Sequence, residues 1–321
     1  MHTLQKILII RLSSLGDIIL TEPLVRALRE KHPDAQIDFV VKKEFAAIPT
    51  LFGSLSNVIP FDLANGLHAI RERLRTEQYD CILDLHNNFR SSVLRKIGAK
   101  KVFVINKRTF ARWLLVKFKI NLLKQASDII GRYFEIAKHL GVIDNGSAPR
   151  IIVNATKEKK AAICPGAKHW NKRWLVENFV EIAKRLSSQG YAIEVHGAKE
   201  EFDLGEQIVN ALPSATVKNL CGAFTLAELP QKLTACELAI TNDSGLMHLA
   251  NAVGVRTISI FGPTVRELGF YPRGANATVI ENIELDCRPC TTIGREDCPK
   301  GHFKCMKEIS IEMVVGEIER R

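Results

Sequence analysis

The feature that most limits the fold of this chain is an alternation of short apolar runs with segments of helical period. Residues 6–11 form an apolar run closed by Arg11. A loop of small residues follows, then Leu20, Leu24, Ala27 and Leu28 recur at helix spacing, with Pro23 in the first turn. Further runs at 37–41, 58–61, 81–85 and 102–105 extend the strand series, with helical stretches between several of them. Short apolar strands separated by helices predict a parallel sheet covered on both faces. The pattern then restarts. Strands are predicted at 161–164, 192–196, 238–241 and 257–261, and helices at 175–189, 226–235 and 245–253. Between the halves, residues 144–160 carry Asn145-Gly146, Ser147, Pro149 and a run of Lys and Glu, a linker composition. The expected fold is α/β, with two Rossmann-like, doubly wound parallel-sheet domains at 1–155 and 156–321. Their ligands are expected at the carboxyl ends of the strands, facing a cleft between the domains. A length of 321 residues suits two domains of about 150.

Charge separates the halves. Residues 1–150 hold 24 Lys and Arg against 14 Asp and Glu, which accounts for the whole net charge of +10. An anionic partner is therefore expected for the first half. No apolar run nears the roughly 18 residues of a membrane span, and the first one is too short for a signal peptide. A cytoplasmic protein is expected, at most attached to a membrane surface. Cys81, Cys164, Cys221 and Cys236 lie scattered in apolar contexts and read as core thiols. The other four follow Cys287-x2-Cys290-x7-Cys298-x6-Cys305, which offers zinc-type ligands but lacks a second C-x2-C knuckle. They are read as structural thiols, with no metal.

Three loops carry candidate chemistry. The first strand is followed by SSLGDIILTEP at 13–23, where Gly16 permits a tight turn and the next helix offers N-terminal amides to an anion. One glycine stands where a dinucleotide fingerprint needs three, which speaks against an NAD(P) oxidoreductase. Asp17 reads either as a helix cap or as a carboxylate that takes a proton from a hydroxyl nucleophile. In the second half, PGAKHWNKRW at 165–174 turns at Pro165-Gly166 and brings Lys168, His169, Lys172 and Arg173 to a strand end, a cradle for phosphate. TNDSGLMHLANAVG at 241–254 opens a helix at Ser244-Gly245, a second anion site, with His248 at i+4 from Ser244. Asp243 there suits sugar hydroxyls or backbone amides better than a phosphate.

Together with YDCILDLHNNFRS at 79–91 and ISIFGPT at 258–264, these segments resemble glycosyltransferase family nine, the heptosyltransferases of the lipopolysaccharide inner core. The resemblance runs in family order over nearly the whole chain. It implies a GT-B fold and an inverting, metal-independent transfer of heptose from ADP-heptose to an anionic, lipid-linked Kdo- or heptose-lipid A acceptor. It also implies a peripheral enzyme on the cytoplasmic face of the inner membrane. Carried over by position, Asp17 matches the general base, and Lys172 the lysine on the donor's phosphate and sugar. Gly166, Asp243, Ser244, Gly245 and His248 match the donor site. Ser14, Gly16, Arg90, Lys117 and Lys119 are the expected acceptor contacts. One of Lys199, Glu200 and Glu201 falls where a donor-ribose contact is expected, and the sequence does not choose among them. The chain is expected to be a monomer that binds no nucleic acid. The alternatives are a GT-B transferase for another nucleotide sugar and a sugar-nucleotide epimerase.

Residues 107–124, KRTFARWLLVKFKINLLK, stand apart. Six basic residues interleave with aromatic and aliphatic ones, and no Asp or Glu lies between Asp84 and Asp128. A helix packed on the sheet accounts for the apolar positions; anionic headgroups or the acceptor's phosphates account for the cations.

Overall fold

The computed structural model describes residues 5–62, 64, 66–213 and 215–320. The chain forms two compact units. One comprises the residues up to Thr109 with Ser127–Ile152. The other comprises Phe110–Ala126 and the residues from Val153 onward.

The first unit holds β1 (Lys6–Ile10), α1 (Leu15–Ile19), α2 (Glu22–Lys31), β2 (Gln36–Lys42), β3 (Asn57–Phe61), α3 (Gly66–Thr76), β4 (Cys81–Asp84), α4 (Phe89–Leu94) and β5 (Lys101–Val104). The chain then runs through α5 (Thr109–Phe118), mostly in the other unit, and returns as α6 (Ile129–Ala137). All strands are parallel, in the order β3-β2-β1-β4-β5. Ile7, Leu8, Ile9 and Ile10 of central β1 are fully buried, each contributing about 1.5–3 kcal/mol by leaving water. Strand order reverses between β1 and β4, so the loops after these two strands open the crevice where such folds bind ligands.

The second unit holds β6 (Glu158–Cys164), α7 (Val176–Ser188), β7 (Ala192–Val195), α8 (Phe202–Val209), β8 (Val217–Asn219), α9 (Leu229–Thr234), β9 (Cys236–Asn242), α10 (Gly245–Ala252), β10 (Arg256–Phe261), β11 (Ala277–Glu281), α11 (Lys304–Lys307) and α12 (Ile311–Glu319). Its parallel sheet runs β11-β10-β9-β6-β7-β8, with the reversal between β6 and β9. Cys164 and Thr241 are in register there, which sets the 165–174 loop beside the 242–245 loop. Apolar residues of β6, β7, β9 and β10 pack with Phe179, Ile182 and Leu186 of α7 in one core. The helical period at 175–189 is thus the inward face of α7.

Edge strands β8 and β11 are absent from the sequence reading. Both are half-polar and border one neighbour each, so neither shows the continuous apolar run of a strand buried on both faces. Residues 110–126 bring Arg112, Lys117, Lys119 and Lys124 to the second unit. The positive charge of the first half is therefore divided between the units.

Candidate active site

In the first unit, Asp17 occupies the third position of α1. Its Oδ2 accepts from the Ser14 hydroxyl at 2.8 Å and from the Ser14 amide at 3.3 Å. Its Oδ1 lies 2.7 Å from the Arg11 guanidinium, and both side chains are mostly buried. Burial works to raise the Asp17 pKa, but Arg11 and the Ser14 hydrogen bonds outweigh it and hold the carboxyl below its ordinary value. Asp17 is thus an ionised carboxylate that closes the start of α1 on Ser14 and pairs with Arg11. The expected anion site at this helix does not form. α1 has five residues, and its N-terminus already carries the Asp17 carboxylate, which repels a second anion. Gly16 is buried within α1. Tyr133 of α6 donates to the Asp17 carbonyl at 3.4 Å.

The loop after β4 stands on buried Asp84, which accepts from the amides of His86 and Asn87 and pairs with Arg95 at 2.8 Å. Asn87 takes a φ of 47°, a left-handed conformation that Asn tolerates. His86 is pushed down to about 4, first by burial and then by the charges of Arg11 and Lys107. It is neutral at pH 7. Arg90 sits half-buried in α4.

In the second unit, the Lys172 ammonium lies 2.6 Å from Asp243 Oδ2, with the side chains 13% and 6% exposed. The Thr264 hydroxyl donates to the same oxygen at 2.7 Å. Asn242 ties the two loops together, donating to the Pro165 carbonyl at 2.7 Å and accepting from the Trp174 amide at 3.0 Å. Ser244 caps α10, and its buried hydroxyl oxygen makes no hydrogen bond. Gly245 opens the helix, and His248, one turn along, is buried. Of the other expected cations, Arg173 donates to the Ala167 carbonyl at 2.8 Å, His169 lies 3.1 Å from Glu296, and Lys168 is exposed. Lys172 is the cation that this loop sets against Asp243. With an unengaged hydroxyl at an eight-residue helix N-terminus beside it, the arrangement suits a ligand that combines phosphate with hydroxyls.

The sequence profile of glycosyltransferase family 9 (heptosyltransferase) matches residues 67–299. The chain belongs to this family. It is 29% identical to lipooligosaccharide heptosyltransferase 2 of Campylobacter jejuni subsp. jejuni serotype O:2, over 94% of each chain. The structure of E. coli ADP-heptose lps heptosyltransferase II superposes with a TM-score of 0.75, at 22% identity, over 97% of this chain and 100% of that one. E. coli heptosyltransferase WaaC with ADP-2-deoxy-2-fluoro heptose gives 0.75, at 21% identity, over 98% and 99%. This heptosyltransferase-family chain is accordingly a glycosyltransferase of GT-B fold, and the epimerase alternative falls away.

Two residues beside these loops were not singled out by sequence. Thr264 ends the quoted ISIFGPT segment, yet only the fold reveals its bond to Asp243. Glu201, left among three candidates, stands out by its surroundings. A Cβ on Gly166 would lie 1.9 Å from the Glu201 carboxyl carbon, and one on Gly197 would lie 2.7 Å from its Oε2. Both glycines therefore make room for this carboxylate, which accepts from the Ala198 amide at 2.8 Å. Burial raises the Glu201 pKa, while the Ala198 amide and the Arg173 charge work the other way.

Lys117 is exposed at the end of α5. Lys119 donates to the carbonyls of Val116, Cys287 and Pro289. Its ammonium fixes the cysteine-bearing loop to residues 110–126.

Cys81, Cys164, Cys221 and Cys236 are buried free thiols, as expected. Cys287, Cys290, Cys298 and Cys305 are also free; burial pushes Cys305 up to about 12. Among the described residues, the set with ligand atoms within 4.8 Å of one another is Glu194, His196 and Cys236. Lys160 lies 3.2 Å from Glu194 and already neutralises that carboxylate.

Proposed function

We propose that this glycosyltransferase moves heptose from ADP-heptose to the lipopolysaccharide inner core, with inversion at the anomeric carbon and without a metal ion. The reading rests chiefly on the Lys172–Asp243–Thr264 cluster beside the buried, unpartnered Ser244 hydroxyl. Asp243 and Thr264 hold the Lys172 ammonium in place, leaving its remaining protons for the donor's pyrophosphate. The Ser244 hydroxyl and the first amides of α10 supply further donors. Glu201 binds the ribose hydroxyls, with Gly166 leaving space beside it. The names of the relatives support ADP-heptose as donor and lipopolysaccharide as acceptor.

Asp17, ionised through Arg11, accepts the proton of an acceptor hydroxyl. The oxygen attacks the anomeric carbon, the bond to the β-phosphate breaks, and ADP leaves with the electron pair. Charge gathers on the pyrophosphate and is met by Lys172 and the α10 N-terminus, which are already oriented. Ser14, Gly16 and Arg90 contact the acceptor in the first unit. Lys117 serves the same lipid-borne substrate from the second. The expected Lys119 contact is not proposed, because its three donors are taken by the Val116, Cys287 and Pro289 carbonyls. The enzyme works as a monomer at the cytoplasmic face of the inner membrane. Donor competition with purified protein tests the reading: ADP-heptose is turned over in preference to GDP-, UDP- and dTDP-sugars. Preference for another nucleotide sugar would transfer the site to that donor.

A further inference from the structure

We propose that α5 and the turn behind it form a docking surface for an anionic lipid bilayer. The proposal deepens the functional reading, in which the acceptor is lipid-borne. α5 packs on the second unit through Leu115 and Ala111, which meet Leu123, Leu268, Val265 and Phe270. Arg112 holds the helix from the side, over the Phe270 ring and on the Thr292 carbonyl at 3.0 Å. The largest apolar residues of the segment take no part in this packing. Phe110, Trp113 and Phe118 are 68%, 49% and 54% exposed, and Ile120 and Leu122 follow at 50% and 61%. The three rings form one patch, with Phe110–Trp113 centroids 6.0 Å apart and Trp113–Phe118 centroids 5.2 Å apart.

A helix packed on the sheet therefore does not explain these side chains, because the buried face is made by others. An exposed aromatic patch with exposed Lys117 and Lys124 in the same segment is the composition of an interfacial membrane surface. At ten residues α5 is about 15 Å long, half the hydrocarbon core of a bilayer, so it lies in the interface.

Charge specifies the lipid. Lys117 and Lys124 are exposed, and no acidic residue occurs from 85 to 127. Lys119, next to Phe118, also lines a cavity of about 420 Å³ together with Lys300, His302 and Lys304. Asp286 is the one acid in that lining. A cavity of this size with a surplus of cations suits a phosphate headgroup beside the inserted rings.

Vesicle binding without donor or acceptor tests this surface separately from catalysis. Wild type is expected to bind phosphatidylglycerol-containing vesicles at least tenfold more tightly than phosphatidylcholine vesicles, with affinity falling as salt rises. Phe110→Ser/Trp113→Ser/Phe118→Ser should lose at least tenfold on anionic vesicles while keeping transfer to a deacylated, soluble acceptor. Lys124→Glu/Lys300→Glu/Lys304→Glu should lose the salt-sensitive part. Brominated lipid should quench wild-type fluorescence more than that of Trp113→Phe. Equal binding to neutral and anionic vesicles, or undiminished binding by the ring variant, would overturn the proposal. So would sedimentation showing that the rings instead join two copies of the chain. Failure of heptose transfer would leave the vesicle result standing, and the reverse also holds.

Discussion

The Lys172 ammonium and the Asp243 carboxylate are 2.6 Å apart at the strand-order reversal of the second sheet, and Thr264 reaches the same carboxylate oxygen. The lysine proposed to meet the leaving group is thus already fixed by this ion pair. Orientation costs nothing at the moment of reaction, which is where electrostatic catalysis gains most.

Lys172→Ala should lower kcat/KM by two orders of magnitude or more and raise donor KM, because charge is lost from both the bound pyrophosphate and the leaving group. It also leaves Asp243 buried without its cation, a loss of about 3–5 kcal/mol of stability for such pairs. Thr264→Val removes one hydrogen bond to the same carboxylate, and about 1–3 kcal/mol is expected. Steady-state kinetics beside thermal unfolding separates the effects. Unchanged kinetics in Lys172→Ala would take the lysine out of the site.

Asp17→Asn should slow turnover by roughly two to four orders of magnitude, the range of a general base, with the donor dissociation constant nearly unchanged. Because Asn keeps the shape and can still accept from Ser14, the fold should persist. Near-normal turnover would reduce Asp17 to its capping role.

The pH dependence follows from Arg11. Its charge keeps Asp17 ionised below the ordinary aspartate value of about 3.9. The acid limb of kcat/KM assigned to Asp17 should therefore lie below that value, and Arg11→Met should move it upward. For stability, the Asp17 contribution is complete above the unfolded pKa and is lost as pH falls through the lower folded one. His86 adds a second window. Held at about 4 when folded and near 6.5 when unfolded, it binds more protons in the unfolded state between these values. Stability thus falls as pH drops from about 6.5 towards 4, and His86→Gln should flatten that slope in chemical denaturation.

Gly166→Ala should impair donor binding and stability together, since its methyl would fall on the Glu201 carboxylate. Glu201→Ala in the same chain removes the obstacle, so the double variant should regain stability without regaining donor affinity. Thermal shift with and without ADP distinguishes the two.

Chelation should leave turnover intact, because Lys172 and the α10 N-terminus are assigned the charge compensation. Loss of activity with EDTA, restored by magnesium or manganese, would contradict this. One zinc per chain at the Cys287–Cys305 loop, lost together with activity, would overturn the structural-thiol reading.

Much of this was legible in the sequence, for a physical reason. A strand buried on both faces, such as β1, reads as a near-continuous apolar run, and the loops after β1, β6 and β9 carry the polar motifs. Pairing was not legible. Nothing in the spacing of Arg11, Ser14 and Asp17 shows that one carboxylate both caps a helix and meets a guanidinium. The contact of Thr264 with Asp243 spans strands β9 and β10, a register that periodicity does not give. Likewise, the interleaved residues of 110–122 do not reveal which apolar side chains pack inward. Only the placement of Leu115 against Leu268 shows that the rings face out.

Under the proposed function, this chain joins heptose to the lipopolysaccharide inner core. Purified protein with ADP-heptose and Kdo-lipid A or heptosyl-Kdo-lipid A should release one ADP per heptose transferred, and NMR should show the anomeric configuration opposite to that of the donor. Absence of heptosylated product from both acceptors, with transfer from a different nucleotide sugar, would exclude that reaction.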